Sequence, residues 1–170
     1  MKLNRTGLAM CVSMAASIAS AATPAANPEM NGRWVMNAEK SQGPPAVSEI
    51  LTFRITGDEE HYLIEDIEKD GRKLNTEYTA KLDGREYPNR NLITGEVTYV
   101  AIRQLFPRVE EVTNTRHVKD HSGHEVSRIT SRYIRILSPG GKEYTSLMID
   151  AHGGVLLARV FDKQPLAHPQ

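Results

Sequence analysis

Residues 47–55 read VSEILTFRI and alternate apolar with polar side chains, as an extended chain with one wet face does. Leu51, Phe53 and Ile55 fall on one face of this stretch, and the residues between them are Thr or Arg. A repeat of two residues is typical of an antiparallel sheet with one buried face. This stretch therefore predicts that the protein belongs to the all-β class.

Residues 73–82, KLNTEYTAKL, repeat the same pattern, with Leu74, Tyr78 and Ala80 on the apolar face. Turn signals recur along the rest of the chain, and Asx-Gly and Gly-Gly pairs supply the positive φ that tight hairpins need. These signals are Gly57-Asp58, Asp70-Gly71, Asp83-Gly84, Pro107, Ser122-Gly123, Pro139-Gly140-Gly141 and Gly153-Gly154. The spacing predicts a meander of consecutive hairpins.

The segments between these turns give ten candidate strands. They are 33–37, 48–56, 60–68, 73–82, 85–88, 96–105, 108–119, 124–137, 142–149 and 155–162. An open sheet of this size would expose two long edges, and closure into a barrel removes both. The predicted fold is an antiparallel up-and-down β-barrel of 8–10 strands, lipocalin-like, formed by residues 32–164. Whether the count is nine or ten depends on 85–88 being separate from 96–105.

The chain begins with the features of an export signal. Lys2 and Arg5 precede a short apolar run at residues 6–19, and Ala19-Ser20-Ala21 has the small-x-small pattern of a signal-peptidase site. Cleavage is expected after Ala21 or Ala22, which makes 1–21 a signal peptide and predicts a periplasmic or secreted protein. Residues 22–31 are expected to form a flexible lead-in, and 165–170 a disordered tail.

Composition excludes several function classes. The 170 residues hold 21 basic and 21 acidic side chains, so no polybasic nucleic-acid-binding arm is present. Aromatic residues make up only 6%, and the single cysteine excludes a disulfide framework. No phosphate-binding glycine loop and no G-x-S-x-G motif occurs, so no cofactor is expected. No membrane span is expected either, because the apolar run is too short.

Gly32-Arg33-Trp34 opens the first strand, and a G-x-W there, followed by a β meander, resembles the lipocalins and fatty-acid-binding proteins. In those families the Trp plugs the closed end of the barrel, and an Arg from the last strand packs across its ring. The resemblance implies barrel closure by Trp34 and Arg159 through a cation–π contact.

The mature chain is also similar to a family of small secreted bacterial proteins with no assigned activity. The matching residues include Gly32, Trp34, Asn37, Lys40, Ser41, the motif Asp83-Gly84-Arg85-Glu86-Tyr87-Pro88, and Val160-Phe161-Asp162-Lys163-Gln164. This resemblance implies export and carries no catalytic residues.

Apolar and aromatic side chains of the predicted strands are the candidates for lining a ligand site inside the barrel. They are Leu51, Phe53, Ile55, Leu74, Tyr78, Tyr99 and Tyr144. Small-molecule sites are mostly apolar, with a few polar groups that orient the ligand.

Histidines gather near two turns that lie on the same rim of an up-and-down barrel. His117, His121 and His124 surround one turn, and His152 with Asp150 forms the other. Imidazole beside aspartate suits proton exchange near neutral pH, and a polar solvated rim is the simpler interpretation. The spacing differs from the helical H-E-x-x-H motif, so no metal ligand is assigned.

Three functions remain open from the sequence. The first is binding of a small hydrophobic or amphipathic molecule inside the barrel. The second is a cofactor-independent lyase, isomerase or hydratase acting on an apolar substrate, with His117, Tyr99, Arg103 and Asp150 as candidate catalytic residues. The third is an envelope interaction protein without a pocket. The oligomeric state and the identity of the ligand cannot be predicted.

Overall fold

A computed structural model describes residues 26–43 and 46–165. Ten antiparallel strands each pair with their neighbours in the chain, and the last strand closes on the first to form a barrel. The strands are β1 Gly32–Met36, β2 Ala46–Thr56, β3 Glu59–Glu68, β4 Lys73–Lys81, β5 Tyr87–Asn91, β6 Val97–Phe106, β7 Val109–Lys119, β8 Glu125–Leu137, β9 Glu143–Ile149 and β10 Val155–Gln164. The predicted all-β, up-and-down barrel is confirmed, and its strand count is ten.

Tight turns set the register of the wall. Thr56 and Glu59 are paired across the β2–β3 hairpin, and Gly57 occupies the first central position with φ of 65°. A two-residue hairpin with this backbone needs a residue that tolerates positive φ, which explains the glycine. On β2, Leu51 and Phe53 then point inward, as the alternation predicts, with 1% of each residue exposed.

One end of the barrel is closed by a cluster of large apolar side chains. Trp34 is fully buried, and its indole Nε1 donates a hydrogen bond to the Met30 carbonyl oxygen at 2.9 Å. The Tyr144 ring lies between those of Trp34, Phe53 and Phe161, with centroid distances of 5.9, 5.6 and 5.4 Å. We call this the closed end, and the opposite rim the mouth.

The segment before β1 contributes to the closed end. Pro28–Met30 form a short 3₁₀ turn, Asn27 accepts a hydrogen bond from the Glu29 amide, and Ala26 and Met30 are buried. Residues 26–31, expected to be a flexible lead-in, are therefore packed against the barrel. The predicted signal peptide, residues 22–25 and 166–170 lie outside the described residues.

The cation over Trp34 is Lys163, and the prediction that Arg159 packs across the ring is wrong. Lys163 is the register partner of Trp34, and its Nζ lies 5.0 Å from the centre of the indole. Arg159 lies four residues closer to the mouth, about 13 Å along an extended strand. There its Nε is 3.4 Å from Glu49 Oε2, and its Nη1 donates to the Gln42 carbonyl oxygen at 3.3 Å.

Candidate functional site in the barrel interior

The half of the barrel nearer the mouth contains a cavity of about 390 Å³. This volume lies within the range of about 300–1,000 Å³ that is usual for small-molecule sites. All strands except β1 contribute to its walls. The lining side chains are Glu49, Tyr62, Ile64, Asp66, Glu68, Thr76, Tyr78, Asn89, Val100, Val112, Asn114, Tyr133, Arg135, Tyr144, Ser146, Leu157 and Arg159.

A buried network of charged side chains forms the floor of this cavity. Arg135 Nη1 and Nη2 donate to the two oxygens of Glu60 at 2.8 and 2.9 Å, and Nη2 also donates to Glu110 Oε2 at 2.6 Å. The Tyr78 hydroxyl donates to Glu60 Oε1 at 2.6 Å. All four side chains are at least nine-tenths buried. We call this set, Glu60, Tyr78, Glu110 and Arg135, the floor network.

The floor network is held by charge compensation in a site without bulk water. Burial acts to lower the pKa of Arg135, but Glu60, Tyr78 and Glu110 outweigh it and raise that pKa well above its usual value. Burial raises the pKa of Glu110, while Arg135 opposes this change. Fully buried ions are tolerated when they are paired and hydrogen-bonded in this way.

A second group of ionisable side chains lies closer to the mouth. Glu49 and Asp66 are register partners on β2 and β3, and Arg159 reaches Glu49 from β10. Burial, followed by the charge of Asp66, raises the pKa of Glu49 to about 7, although Arg159 opposes the shift. Burial and the charge of Glu68 raise the pKa of Asp66 in the same direction. We call Glu49, Asp66 and Arg159 the upper cluster.

Tyrosine rings line the space between these two charged groups. The rings of Tyr62 and Tyr78 are stacked with centroids 4.8 Å apart, and Tyr133 and Tyr144 also face the cavity. Val100 and Val112 add an aliphatic surface on the opposite part of the wall. The interior therefore combines apolar and aromatic contact area with separated polar groups.

Apolar side chains also lie in the open around the mouth. Leu92 and Ile93 form part of the β5–β6 turn, and other exposed apolar residues lie at the mouth ends of their strands. These further residues are Val47, Ile67, Val126, Val155 and Leu156. Single exposed apolar residues are ordinary, but several at one opening give the mouth a rim of low polarity.

The predicted ligand-lining residues divide into three groups. Tyr78 and Tyr144 line the cavity. Leu51 and Phe53 lie below it in the closed end, where Ile55 packs against them. Leu74 is half-buried near the mouth on β4, outside the set of lining residues, and Tyr99 points away from the interior.

The four predicted catalytic residues are not brought together inside the barrel. Val100 and Ile102 are the inward residues of β6, which places Tyr99 and Arg103 on the outer face. Asp150 lies in the β9–β10 turn, where its Oδ1 accepts hydrogen bonds from the amides of His152 and Gly154. The prediction that these four residues form one acid–base site inside the barrel is therefore wrong.

His117 takes part in a cluster on the outer wall. Its ring centroid is 4.6 Å from that of Tyr99, its Nδ1 is 2.7 Å from Glu125 Oε2, and its Nε2 is 3.3 Å from Glu86 Oε2. At the neighbouring turn, Asp120 accepts hydrogen bonds from the amides of Ser122 and His124. Within residues 26–43 and 46–165, no group of His, Cys, Asp and Glu has the geometry to hold a metal ion.

Sequence reasoning missed the charged residues of the interior. Glu60 is in phase with Tyr62 on β3, Glu110 with Val112 on β7, and Arg135 with Leu137 on β8. The two-residue period that assigns the apolar residues to the interior could have identified these charges as well. A local pattern does not assign them there, because unpaired buried charge is costly and the partners on other strands cannot be recognised from the sequence.

No protein-family model matches this chain, and the search of curated proteins also returns no match. In the part of the chain that the structure describes, no helix has the length and apolarity required to cross a membrane. The fold and the contents of the cavity are therefore the basis for assigning a function.

Proposed function

We propose that this protein is an exported, lipocalin-like barrel that binds a small hydrophobic or amphipathic molecule in its interior. The observation that carries the proposal is the cavity of about 390 Å³, which is lined by tyrosines, aliphatic side chains and a few polar groups. A side-chain composition of this kind, in a rigid closed wall, is typical of small-molecule sites. Export rests on the basic start, apolar run and Ala19-Ser20-Ala21.

The direct test is to express the full chain in an export-competent bacterium and analyse the purified protein by native mass spectrometry. A bound small molecule, released on denaturation, is the expected result. The same sample reports the processed N-terminus, which we expect at Ala22 or Thr23. An unprocessed protein retained in the cytoplasm would overturn the export assignment without affecting the cavity.

A matched pair of variants locates the binding site. Asn114→Trp places a large ring in the cavity, whereas Thr113→Trp places it on the outer face of the same strand. Binding of the neutral dye Nile red is expected to fall at least 10-fold in the first variant and to be retained in the second. Equal dye binding by both folded variants would show that the dye and the cavity are unrelated.

Acid–base catalysis inside the cavity is a second candidate function, for which Glu49 supplies a specific observation. Its side chain is 14% exposed and faces the cavity, and its carboxyl has a pKa of about 7, so both protonation states are populated near neutral pH. General acids and bases work best with a pKa near the operating pH. Chemical conversion of a recovered ligand by the wild type, abolished in Glu49→Gln, would support this function. An unchanged ligand would leave binding as the activity.

The third function, an envelope interaction protein without a pocket, is not supported, because the barrel interior contains a cavity of about 390 Å³.

A further inference from the structure

The cavity contains acceptor atoms to which the described residues donate no hydrogen bond. Asn89 is 6% exposed, and its Nδ2 donates to Thr98 Oγ1 at 3.2 Å, but its Oδ1 has no hydrogen-bond partner among the described residues. Asp66 Oδ1 is likewise shielded from solvent, and the part of the chain that the structure describes gives this atom no hydrogen bond. Leaving a buried acceptor unsatisfied costs free energy. A guest that donates N–H groups would remove this cost.

Carboxyl groups outnumber guanidinium groups in the interior. Two guanidinium groups, Arg135 and Arg159, face five carboxyl groups in or beside the cavity. The five are Glu49, Glu60, Asp66, Glu68 and Glu110. Burial of like charges without compensation is unfavourable, so this arrangement favours a guest that is itself positive.

The arginines are already engaged by carboxylates, which argues against an anionic guest. Arg135 contacts both Glu60 and Glu110, and within residues 26–43 and 46–165 its Nε has no hydrogen-bond partner. That nitrogen suits a neutral acceptor, because a third anion beside it would meet two carboxylates at once. Arg159 is paired with Glu49. A fatty-acid-like carboxylate would therefore enter a site whose cations are already neutralised.

The raised pKa values at Glu49 and Asp66 have the same physical origin. Burial and neighbouring carboxylates shift both, and Arg159 only partly offsets these effects. A cation placed between Glu49 and Asp66 would supply the missing positive charge. The adjacent tyrosine faces suit such a guest too, because aromatic rings attract cations as well as apolar groups.

We propose that the natural guest is a small amphipathic organic cation, with its ammonium group at Glu49 and Asp66 and its apolar part between the tyrosines and valines of the cavity. This inference rests on the proposed function, since it specifies the chemical class of the bound molecule. The ammonium donates hydrogen bonds to the two carboxylates, and Asn89 Oδ1 is available to a donor deeper in the cavity.

Three probe molecules with the same eight-carbon skeleton and different head groups test which ligand charge the cavity prefers. They are octylamine, octan-1-ol and octanoate, titrated calorimetrically into the purified full chain at low salt and pH 8.5, where the amine is still protonated. Octylammonium is expected to bind at least 10-fold more tightly than octanoate, with octanol between them or weaker than both. Octanoate binding as tightly as octylammonium would overturn the inference.

Asp66→Asn and its control Glu65→Gln locate the ammonium group. Asp66 faces the cavity and Glu65 is exposed on the outer face of the same strand. Octylammonium affinity is expected to fall at least 10-fold in Asp66→Asn and Glu49→Gln, and to stay within twofold of wild type in Glu65→Gln. The fold should stay intact in Asp66→Asn and Glu49→Gln, because the interior has more carboxyl groups than guanidinium groups. Circular dichroism checks this. Equal affinities in all the folded variants would refute the assigned position.

The results separate this inference from the proposed function. If octanol or octanoate binds best and Asn114→Trp blocks it, the cavity is a binding site and the cationic preference is wrong. If no probe binds and the exported protein carries no small molecule, both proposals are wrong.

Discussion

Arg135 lies across the barrel from Glu60, and its two terminal nitrogens reach both oxygens of that carboxylate at 2.8 and 2.9 Å. Both residues are almost completely removed from solvent, and Glu110 provides a second carboxylate at 2.6 Å. The pair joins β3 to β8, two strands that are not adjacent in the wall. It therefore braces the interior at the floor of the cavity.

Arg135→Met is expected to destabilise the protein by about 3–5 kcal/mol, because two buried carboxylates lose their counter-ion. Arg132→Met is the matched control on the same strand, and we expect it to cost less than about 1 kcal/mol because Arg132 is exposed. Urea unfolding at pH 7 measures both. Adding Glu60→Gln and Glu110→Gln to Arg135→Met should recover most of the loss. Similar costs for the Arg135 and Arg132 variants would contradict the role of the floor network.

Trp34 offers a test of barrel closure, because it is the only tryptophan in the chain and reports by fluorescence. Lys163→Met removes the cation over the indole, which should change the emission and lower stability by about 0.5–1 kcal/mol. Arg159→Met should leave the emission unchanged, since Arg159 lies near the mouth with Glu49. The reverse result would restore Arg159 as the partner of Trp34.

Glu49 predicts a decline of stability with rising pH. Its pKa of about 7 in the folded protein exceeds the ordinary value of 4.5, so the folded state holds the proton more tightly than the unfolded state. This contribution is complete below about pH 4.5 and is lost as pH rises to about 7, for a total of up to about 3 kcal/mol. The raised pKa of Asp66 acts in the same direction, while Arg159 limits the effect.

Urea unfolding of wild type and Glu49→Gln between pH 4.5 and pH 8 measures this contribution. The variant, which cannot ionise at this position, should show a flatter decline, and the exposed control Glu65→Gln should follow the wild type. Parallel curves for wild type and Glu49→Gln would show that the carboxyl is not protonated more tightly in the fold.

His117 is expected to be dispensable for events inside the barrel. Its partners Tyr99, Glu86 and Glu125 are all on the outer wall, and polar contacts on the outside of a protein contribute about 0–1 kcal/mol. His117→Gln should therefore keep octylammonium affinity within twofold and reduce stability by less than about 1 kcal/mol. A loss of binding as large as that of Asp66→Asn would make the outer cluster part of the site.

The sequence predicted the class of fold, a barrel of 8–10 strands and the buried Trp34, because alternation and turn residues are local signals; the choice of ten strands came from the structure. It misplaced β5, which runs from Tyr87 to Asn91 and not over 85–88. The cause is the segment after Asp83-Gly84, where Asp83 accepts hydrogen bonds from the Arg85 amide and the Tyr87 hydroxyl and delays the start of the strand.

The side chains that line the cavity were harder to predict from the sequence than the fold. Residue type places Tyr99 in the interior, but its neighbour Val100 holds the inward position on β6. The floor network depends on side chains separated by 75 and 25 positions in the chain. These residues become partners only when the barrel closes, and no local sequence pattern encodes that closure. The excess of interior carboxylates became visible only with that closure.

The shortness of β5 has a consequence for how the barrel moves. Only three residue pairs join β4 to β5, from Thr76–Asn91 to Tyr78–Asn89, and four join β5 to β6. The β7–β8 ladder contains eleven pairs, so thermal opening of the wall should begin at β5, at a lower free energy than global unfolding. Amide hydrogens of Tyr87 and of residues 89–91 will then exchange with solvent before those of β7 and β8, so β5 is the segment at which the closed wall first gives access to the interior.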